Sequence, residues 1–271
     1  KIVWMKKLMS GNTDKPPLLR EVTDGVCTLT LNRPDKRNAL SSELLGELQR
    51  AFDDIASDKT IKVIILAGNG PIFSSGHDLK EMRKDSSYSA MHTLFNQCSN
   101  MMISMKKQPQ PIIAKVYGSA MAAGCQLMCN CDLAIAAKTA KFALPGSSIG
   151  LFCSSPAVAV GRVANPKHTM EMLLMGETFN AEDAFRFGLI NKAVPPEELD
   201  NTVMAYANKI TKHSSMTISM GKNAFYKQID MDLEAAYAFT SEIMAKNMQE
   251  HDAHEGIDAF LEKRDATWRG R

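Results

Sequence analysis

Two glycine-bearing turns hold the residues best suited to chemistry, Phe73-Ser74-Ser75-Gly76-His77-Asp78-Leu79 and Gly118-Ser119-Ala120-Met121-Ala122-Ala123-Gly124-Cys125. Each follows a short apolar run, at 61–67 and 112–116, of the form expected for a strand buried on both faces. Backbone N–H groups at a tight turn, or at the start of a buried helix, have no partner in their own element. Two that converge can therefore hold a negative oxygen without any charged side chain. Taken alone, Gly76 and Gly124 would serve equally well for tight turns and close helix packing.

The elements that must position these turns can be read from periodicity. Residues 26–31 form a strand, followed by a turn at Arg33-Pro34-Asp35. A helix capped by Ser41, with Glu43 in its first turn, places Leu44, Leu45, Leu48, Phe52 and Ile55 on one face. Between 119 and 131 small and apolar residues surround the whole helical circumference, which predicts a helix packed inside the protein, and 133–137 returns as a strand. Asn180 with Asp183 resembles a capping box, and Gly188 closes that segment. Beyond Pro195-Pro196 helical periodicity dominates, with Tyr237, Ile243, Met244 and Met248 among the apolar positions of one long segment. The expected organisation is a layered α/β core over 21–195, a helical region over 196–271, and a flexible N-terminal extension over 1–20. That extension carries Lys1, Lys6, Lys7, Lys15 and Arg20 against Asp14, and is either a remnant of a targeting segment or an added leader.

Composition excludes several function classes. A net charge of +2, evenly scattered, does not suggest a nucleic-acid or membrane surface as the main partner. The most apolar stretch, 111–137, is interrupted by Lys115, Gln126, Asn130 and Asp132 and so lacks a clean membrane span. Cys27, Cys98, Cys125, Cys129, Cys131 and Cys153 form no CxxC pairs and read as reduced core thiols of an intracellular protein. Cys125, Cys129 and Cys131 lack a fourth zinc ligand, so no metal is expected.

Over nearly its whole length the sequence resembles the enoyl-CoA hydratase/isomerase, or crotonase, family. The matching pieces are GVCTLTLNRPDKRNAL, IKVIILAGNGPIFSSGHDLKEM, PIIAKVYGSAMAAGCQLMCNCDLAIAA and NAEDAFRFGLINKAVP, followed by GIDAFLEKR, while SSGHDLKE, AAGCQL and GLFCSSP mark one branch of it. The resemblance implies a crotonase-like α/β spiral of ββα units followed by a C-terminal helical trimerisation region. It implies a homo-oligomer, either a trimer or a dimer of trimers. The ligand would be an acyl-CoA or enoyl-CoA thioester, with no further cofactor, bound where the backbone amides of His77 and Ala123 meet. A cytoplasmic setting would follow for a bacterial chain and the mitochondrial matrix for a eukaryotic one.

The hydratases of that family carry one glutamate directly after the cysteine of the second motif and another just after the proline that follows the next strand. Gln126 and Gly146 stand at these positions. Hydration needs one group to take a proton from water and another to protonate the α-carbon, and neither an amide nor a glycine exchanges protons usefully. Gln126 can still orient a water or serve as a satisfied core amide, and Gly146 is read as enlarging the pocket.

His77 sits at the oxyanion-loop position, and its GHD is shared with methylmalonyl-CoA decarboxylase-like members, where a histidine helps hold the substrate carboxylate. Asp78 reads as the cap of a helix opening at Leu79. Cys153 replaces a tyrosine of those members and either faces the acyl group or is a small buried thiol. By family position and charge, Lys36, Arg37, Lys80, Lys263 and Arg264 are candidates for the CoA phosphates. Ala39, Leu40, Ser75, His77, Asp78, Leu79, Ala123, Gly124 and Gly146 are expected to line the ligand.

Three functions follow as expectations. The first is a lyase of the hydratase/isomerase family, in fatty acid metabolism, with a weakened acid/base set or one rearranged onto His77, Asp78 or Cys153. The second is a malonyl-type acyl-CoA decarboxylase, in which loss of CO2 generates the enolate without a base. The third is a non-catalytic acyl-CoA-binding protein.

Overall fold

A computed structural model describes residues 16–270 of the chain. The extension read over 1–20 falls largely on residues 1–15, which lie outside the described residues. Positions 18–20 are not an extension: they open strand β1 (Leu18–Thr23), paired antiparallel with β2 (Val26–Leu31). At the edge of its sheet β1 keeps most side chains exposed, so its sequence shows none of the alternation that marks a half-buried strand.

Helix α1 (Ser42–Ser57) begins as read, with Ser41 Oγ accepting from Leu44 N and the five expected apolar side chains buried. Strands β3 (Val63–Gly68) and β4 (Ile72–Ser74) lead into helices α2 (Leu79–Lys84) and α3 (Tyr88–Lys107). Strands β5 (Ile112–Val116) and β6 (Ser119–Met121) lead into α4 (Ala123–Asn130). Strands β7 (Leu133–Ala137) and β8 (Lys141–Ala143) lead into α5 (Ser154–Val163) and α6 (Pro166–Met175). A short β9 (Phe179–Asn180), α7 (Ala181–Phe187) and β10 (Lys192–Val194) complete the two sheets. Asn180 caps α7 by accepting from Asp183 N, and Gly188 ends it in the left-handed region.

The spiral is visible in the pairing. Strands β3, β5 and β7 run parallel in a sheet of order β1-β2-β3-β5-β7-β10, while β4, β6, β8 and β9 form a second sheet in which β4, β6 and β8 are parallel. Each strand pair thus carries the chain from one sheet to the other before a helix returns it. The helix expected over 119–131 is shorter than read, because 119–121 pair with β4 and β8. Three residues are too few to display a strand period, and their small side chains suited either structure.

The C-terminal part contains α8 (Leu199–Thr211), α9 (Ser215–Gln228), α10 (Leu233–Asn247) and α11 (His251–Glu262). Leu199, Val203 and Ala207 of α8 pack on Val26, Val63, Ile113 and Ile135, covering one face of the larger sheet. A buried ionic cluster anchors α9: Lys222 Nζ pairs with Asp132 Oδ2 at 2.7 Å and donates to the Gln110 carbonyl at 3.0 Å, and Tyr226 donates to Asp132 Oδ1 at 2.9 Å. Helix α10 buries none of its side chains against the rest of the described chain, and Tyr237 and Met244 are 68% and 64% exposed. All six cysteines are buried and unpaired.

Candidate active site

The two glycine turns meet. Gly76 has φ +90°, and a Cβ there would stand 2.9 Å from the Ala122 Cβ and 3.1 Å from Ala123 N, so the chains approach as closely as a bare backbone allows. An isolated parallel bridge joins Leu40 to His77. Leu40 N donates to the Gly76 carbonyl at 2.8 Å, and Asp78 N donates to the Leu40 carbonyl at 3.3 Å. Strand alternation then turns the N–H of His77 away from Leu40. No described residue accepts a hydrogen bond from His77 N or from Ala123 N, the first residue of α4.

Ala122, just before α4, has φ 47° and ψ −121°, a conformation costly for a residue with a Cβ. It is held there by Ala122 N donating to the Ala143 carbonyl at 2.9 Å and by Gln126 N donating to the Ala122 carbonyl at 3.1 Å. At Gly124 any Cβ would overlap the Ser74 carbonyl, which fixes α4 against β4. The other turn is braced by fully buried Asn38. Its Nδ2 donates to the carbonyls of Asn69 at 2.9 Å and Ile72 at 2.7 Å, and its own carbonyl accepts from Ser74 Oγ at 2.9 Å.

Around the free amides the side chains are uncharged or already engaged. The His77 ring meets Phe95 edge-on, with centroids 5.3 Å apart, and its Nε2 is buried without a partner. Burial lowers the His77 pKa to about 4, against a smaller opposing effect of Glu81, so the imidazole is neutral at neutral pH. Gln126 is buried, and its Oε1 is likewise unpartnered. Asp78 caps α2, accepting from Lys80 N at 3.1 Å and Glu81 N at 3.3 Å, and pairs with Arg33 Nη2 at 3.3 Å. Glu81 accepts from Ser42 N at 3.0 Å and so caps α1. Both carboxylates beside the histidine are therefore committed to structure.

Gly146 does not enlarge a pocket as expected. A Cβ there would overlap the Leu151 carbonyl and stand 2.8 Å from Cys153 Sγ, so the space is already filled. Cys153 immediately precedes α5 and is buried; burial raises its pKa against an opposing hydrogen bond from the Gly146 backbone, leaving a neutral thiol.

Lys36, Arg37 and Lys80 are exposed on the segments that form the turns; Ser75 N donates to the Arg37 carbonyl at 3.1 Å. Ala39 and Leu40 are buried, so their side chains belong to the core, whereas Leu79 is half exposed. Lys263 ends α11 in the left-handed region, on a helix that packs against α9 rather than beside His77. Arg264 is not a free cation: its guanidinium pairs with Glu255 at 2.7 Å and Glu262 at 2.6 Å.

The profile described as Enoyl-CoA hydratase/isomerase matches residues 21–271. The chain belongs to the enoyl-CoA hydratase/isomerase family. Within it, the chain is 44% identical over 260 residues to enoyl-CoA hydratase domain-containing protein 3, mitochondrial, of Mus musculus, covering 96% of this chain and 87% of the relative. The crystal structure of an enoyl-CoA hydratase of Mycobacterium smegmatis is similar with a TM-score of 0.92 at 45% identity, covering 94% of this chain and 99% of that one. The human enoyl-CoA hydratase domain-containing protein 3 superposes with a TM-score of 0.91 at 43% identity, covering 93% and 100%. The crotonase-like spiral read from the motifs is thus the observed fold.

Asn38, Glu81 and Phe95 shape the site without having been singled out in the sequence, and Arg33 and Ala122 were read only as members of turns. Asn38 carried a weak signal, since asparagine tolerates the left-handed conformation it adopts here, at φ 50°. The others depend on contacts between segments far apart in the chain and leave no local signature.

Proposed function

We propose that the chain binds an acyl-CoA thioester with its carbonyl oxygen between the N–H groups of His77 and Ala123, and stabilises the enolate that forms from it. The observation that carries this reading is the pair of facing turns whose amides have no acceptor among the described residues. Such preorganised donors contribute roughly 3 kcal/mol each when charge develops on the oxygen. Lys36, Arg37 and Lys80, with Lys263 on the C-terminal helices, are the cations offered to the CoA phosphates, and the thioester is the ligand without further cofactor.

With Gln126 and Gly146 where family hydratases use glutamates, the reading is a lyase with weak or atypical hydratase activity. Binding without turnover is the second reading, favoured by the engagement of both Asp78 and Glu81 in helix caps. A malonyl-type decarboxylase draws no cation from Arg33, which is occupied by Asp78 and the Ala39 carbonyl, and would have to hold the substrate carboxylate through the unpartnered Nε2 of His77. The unburied α10, with Leu233, Tyr237 and Met244 outward, supports assembly as a trimer or dimer of trimers. The mitochondrial names of the relatives support the matrix for a eukaryotic chain, and the cytoplasm is the counterpart for a bacterial one.

The test is steady-state turnover of crotonyl-CoA by the protein, His77→Ala and Gln126→Glu, with CoA-ester affinity measured by calorimetry. Hydration that His77→Ala abolishes supports the lyase; tight binding without turnover, with activity gained in Gln126→Glu, supports the binding protein. Absence of CoA-ester binding rejects both. Sedimentation velocity of the protein and of Tyr237→Glu reads the assembly, and a monomeric wild type rejects it.

A further inference from the structure

Asn69-Gly70 is the one Asn-Gly pair in the chain. It lies in the loop between β3 and β4, where both residues are exposed. Asn69 N donates to the Leu31 carbonyl at 2.9 Å, whereas no described residue accepts a hydrogen bond from Gly70 N. Position 70 demands glycine: its φ is +80°, and a Cβ there would stand 2.9 Å from the Pro34 Cβ. The fold thus fixes the least bulky residue directly after Asn69 and leaves its backbone nitrogen free.

Asn69 is also tied to the first glycine turn. Its Nδ2 donates to Asn32 Oδ1 at 2.9 Å, and Asn32 Nδ2 donates to the Pro16 carbonyl at 2.9 Å. The Asn69 carbonyl accepts from Nδ2 of the fully buried Asn38 at 2.9 Å. The Asn38 carbonyl accepts from Ser74 Oγ at 2.9 Å, and Ser74 Oγ accepts from Gly76 N at 3.3 Å. Three consecutive hydrogen bonds therefore run from the backbone of Asn69 to that of Gly76.

We propose that Asn69-Gly70 is a site of spontaneous deamidation, and that its conversion loosens the turn carrying Gly76 and His77. Hydroxide takes the Gly70 N–H proton, and the nitrogen attacks the side-chain carbonyl carbon of Asn69. The new C–N bond closes a cyclic imide, and the side-chain nitrogen leaves as ammonia with a proton from water, which regenerates the hydroxide. Water then opens the imide at either carbonyl, leaving an aspartate or, when the main-chain bond to Gly70 is the one broken, a β-linked isoaspartate. Asparagine is among the thermolabile residues of proteins, and a following glycine opposes this closure with no side chain of its own.

Each product disturbs the brace. In the aspartate, a carboxylate oxygen replaces Nδ2 opposite Asn32 Oδ1, and neither atom can donate. Asn32 regains a bond only by turning its amide, which takes its Nδ2 from Pro16. In the isoaspartate the chain runs through the former side chain, so the carbonyl that Asn38 holds is displaced. Neither step depends on what the turn binds.

The experiment is incubation of the full chain, without ligand, at mildly alkaline pH and below its melting temperature. Peptide mapping by mass spectrometry follows every asparagine, isoaspartyl methylation reads the β-linked product, and hydrogen exchange reads residues 74–77 in the converted fraction, separated by its added negative charge. Asn69 is expected to convert about tenfold faster than any other asparagine, and faster still as pH rises. Exchange at 74–77 should rise about fivefold, the effect of one net hydrogen bond lost, and stay unchanged in Asn69→Gln, which would have to close a larger ring. An Asn69 that stays intact, or that converts no faster than the other asparagines, overturns the proposal. Conversion without a change in exchange at 74–77 also overturns it, as does an equal rise in incubated Asn69→Gln. Where that variant fails to fold, the wild-type time course decides, because conversion and loss of protection must advance together.

Discussion

A Cβ placed on Gly146 would run into the carbonyl oxygen of Leu151, whose N–H donates back to the Gly146 carbonyl at 2.9 Å. Position 146 is closed by the backbone of its own loop. Gly146→Glu is expected to destabilise the fold by about 3 kcal/mol, the scale of overpacking a tight site, as read by urea denaturation. Gln126→Glu with Gly146→Glu then fails to create an efficient hydratase. A double variant that keeps the wild-type melting temperature and hydrates crotonyl-CoA would contradict this account of the loop.

Gly76 answers to a similar constraint at the other turn. Gly76→Ala adds a methyl 2.9 Å from the Ala122 Cβ at a left-handed φ of +90°, which should cost about 1–3 kcal/mol and move the two amides apart. CoA-thioester affinity should fall by at least about tenfold. Thermal melts and calorimetry on the same preparation check both effects, and unchanged affinity in a destabilised but folded variant would separate the turn from binding.

His77 gives the stability a signed pH dependence. Its pKa falls from 6.5 to about 4 on burial. Between these values the unfolded chain holds a proton that the folded chain lacks, so stability rises with pH across that window. The benefit of burying a neutral ring is fully present above the unfolded value and is lost as pH falls toward about 4. The slope from one such group is at most about 1.4 kcal/mol per pH unit. Urea midpoints measured from pH 7 to pH 4 should fall less steeply for His77→Phe; identical slopes would place the ring in water.

Lys222 holds the helical part to the core through Asp132. Burial lowers its pKa, with Asp132 opposing, so truncation leaves Asp132 short of its cation. Lys222→Met should destabilise by about 3 kcal/mol, while Tyr226→Phe, which removes one neutral donor, should cost about 1–2 kcal/mol. Chemical denaturation distinguishes the two, and equal small effects would mean that water replaces the lysine.

Most of the framework was legible because it rests on local rules. The helix after Ser41, the caps at Asp78 and Asn180, and the apolar strands β3, β5 and β7 each carry their signal within a few residues. Short strands such as β6 and β9 were hidden, since two or three residues display no period. Edge strand β1 was hidden because no face of it is buried enough to require alternation.

The site divides in the same way. Residue order alone determined that Gln126 and Gly146, neither of which exchanges protons usefully, follow Cys125 and Pro145, and that two glycine turns could supply backbone donors, because side-chain chemistry and turn propensity belong to single positions. Only the tertiary structure decided that the turns face each other, that Asp78 also pairs with Arg33, that Glu81 caps α1, that Gly146 is packed shut, and that His77 and Gln126 keep buried atoms unpartnered. Except for the closure of the Gly146 loop on itself, which depends on how that loop folds back, each of those facts is a relation between segments distant in the chain, and burial and hydrogen-bond satisfaction exist only once such segments have been brought together.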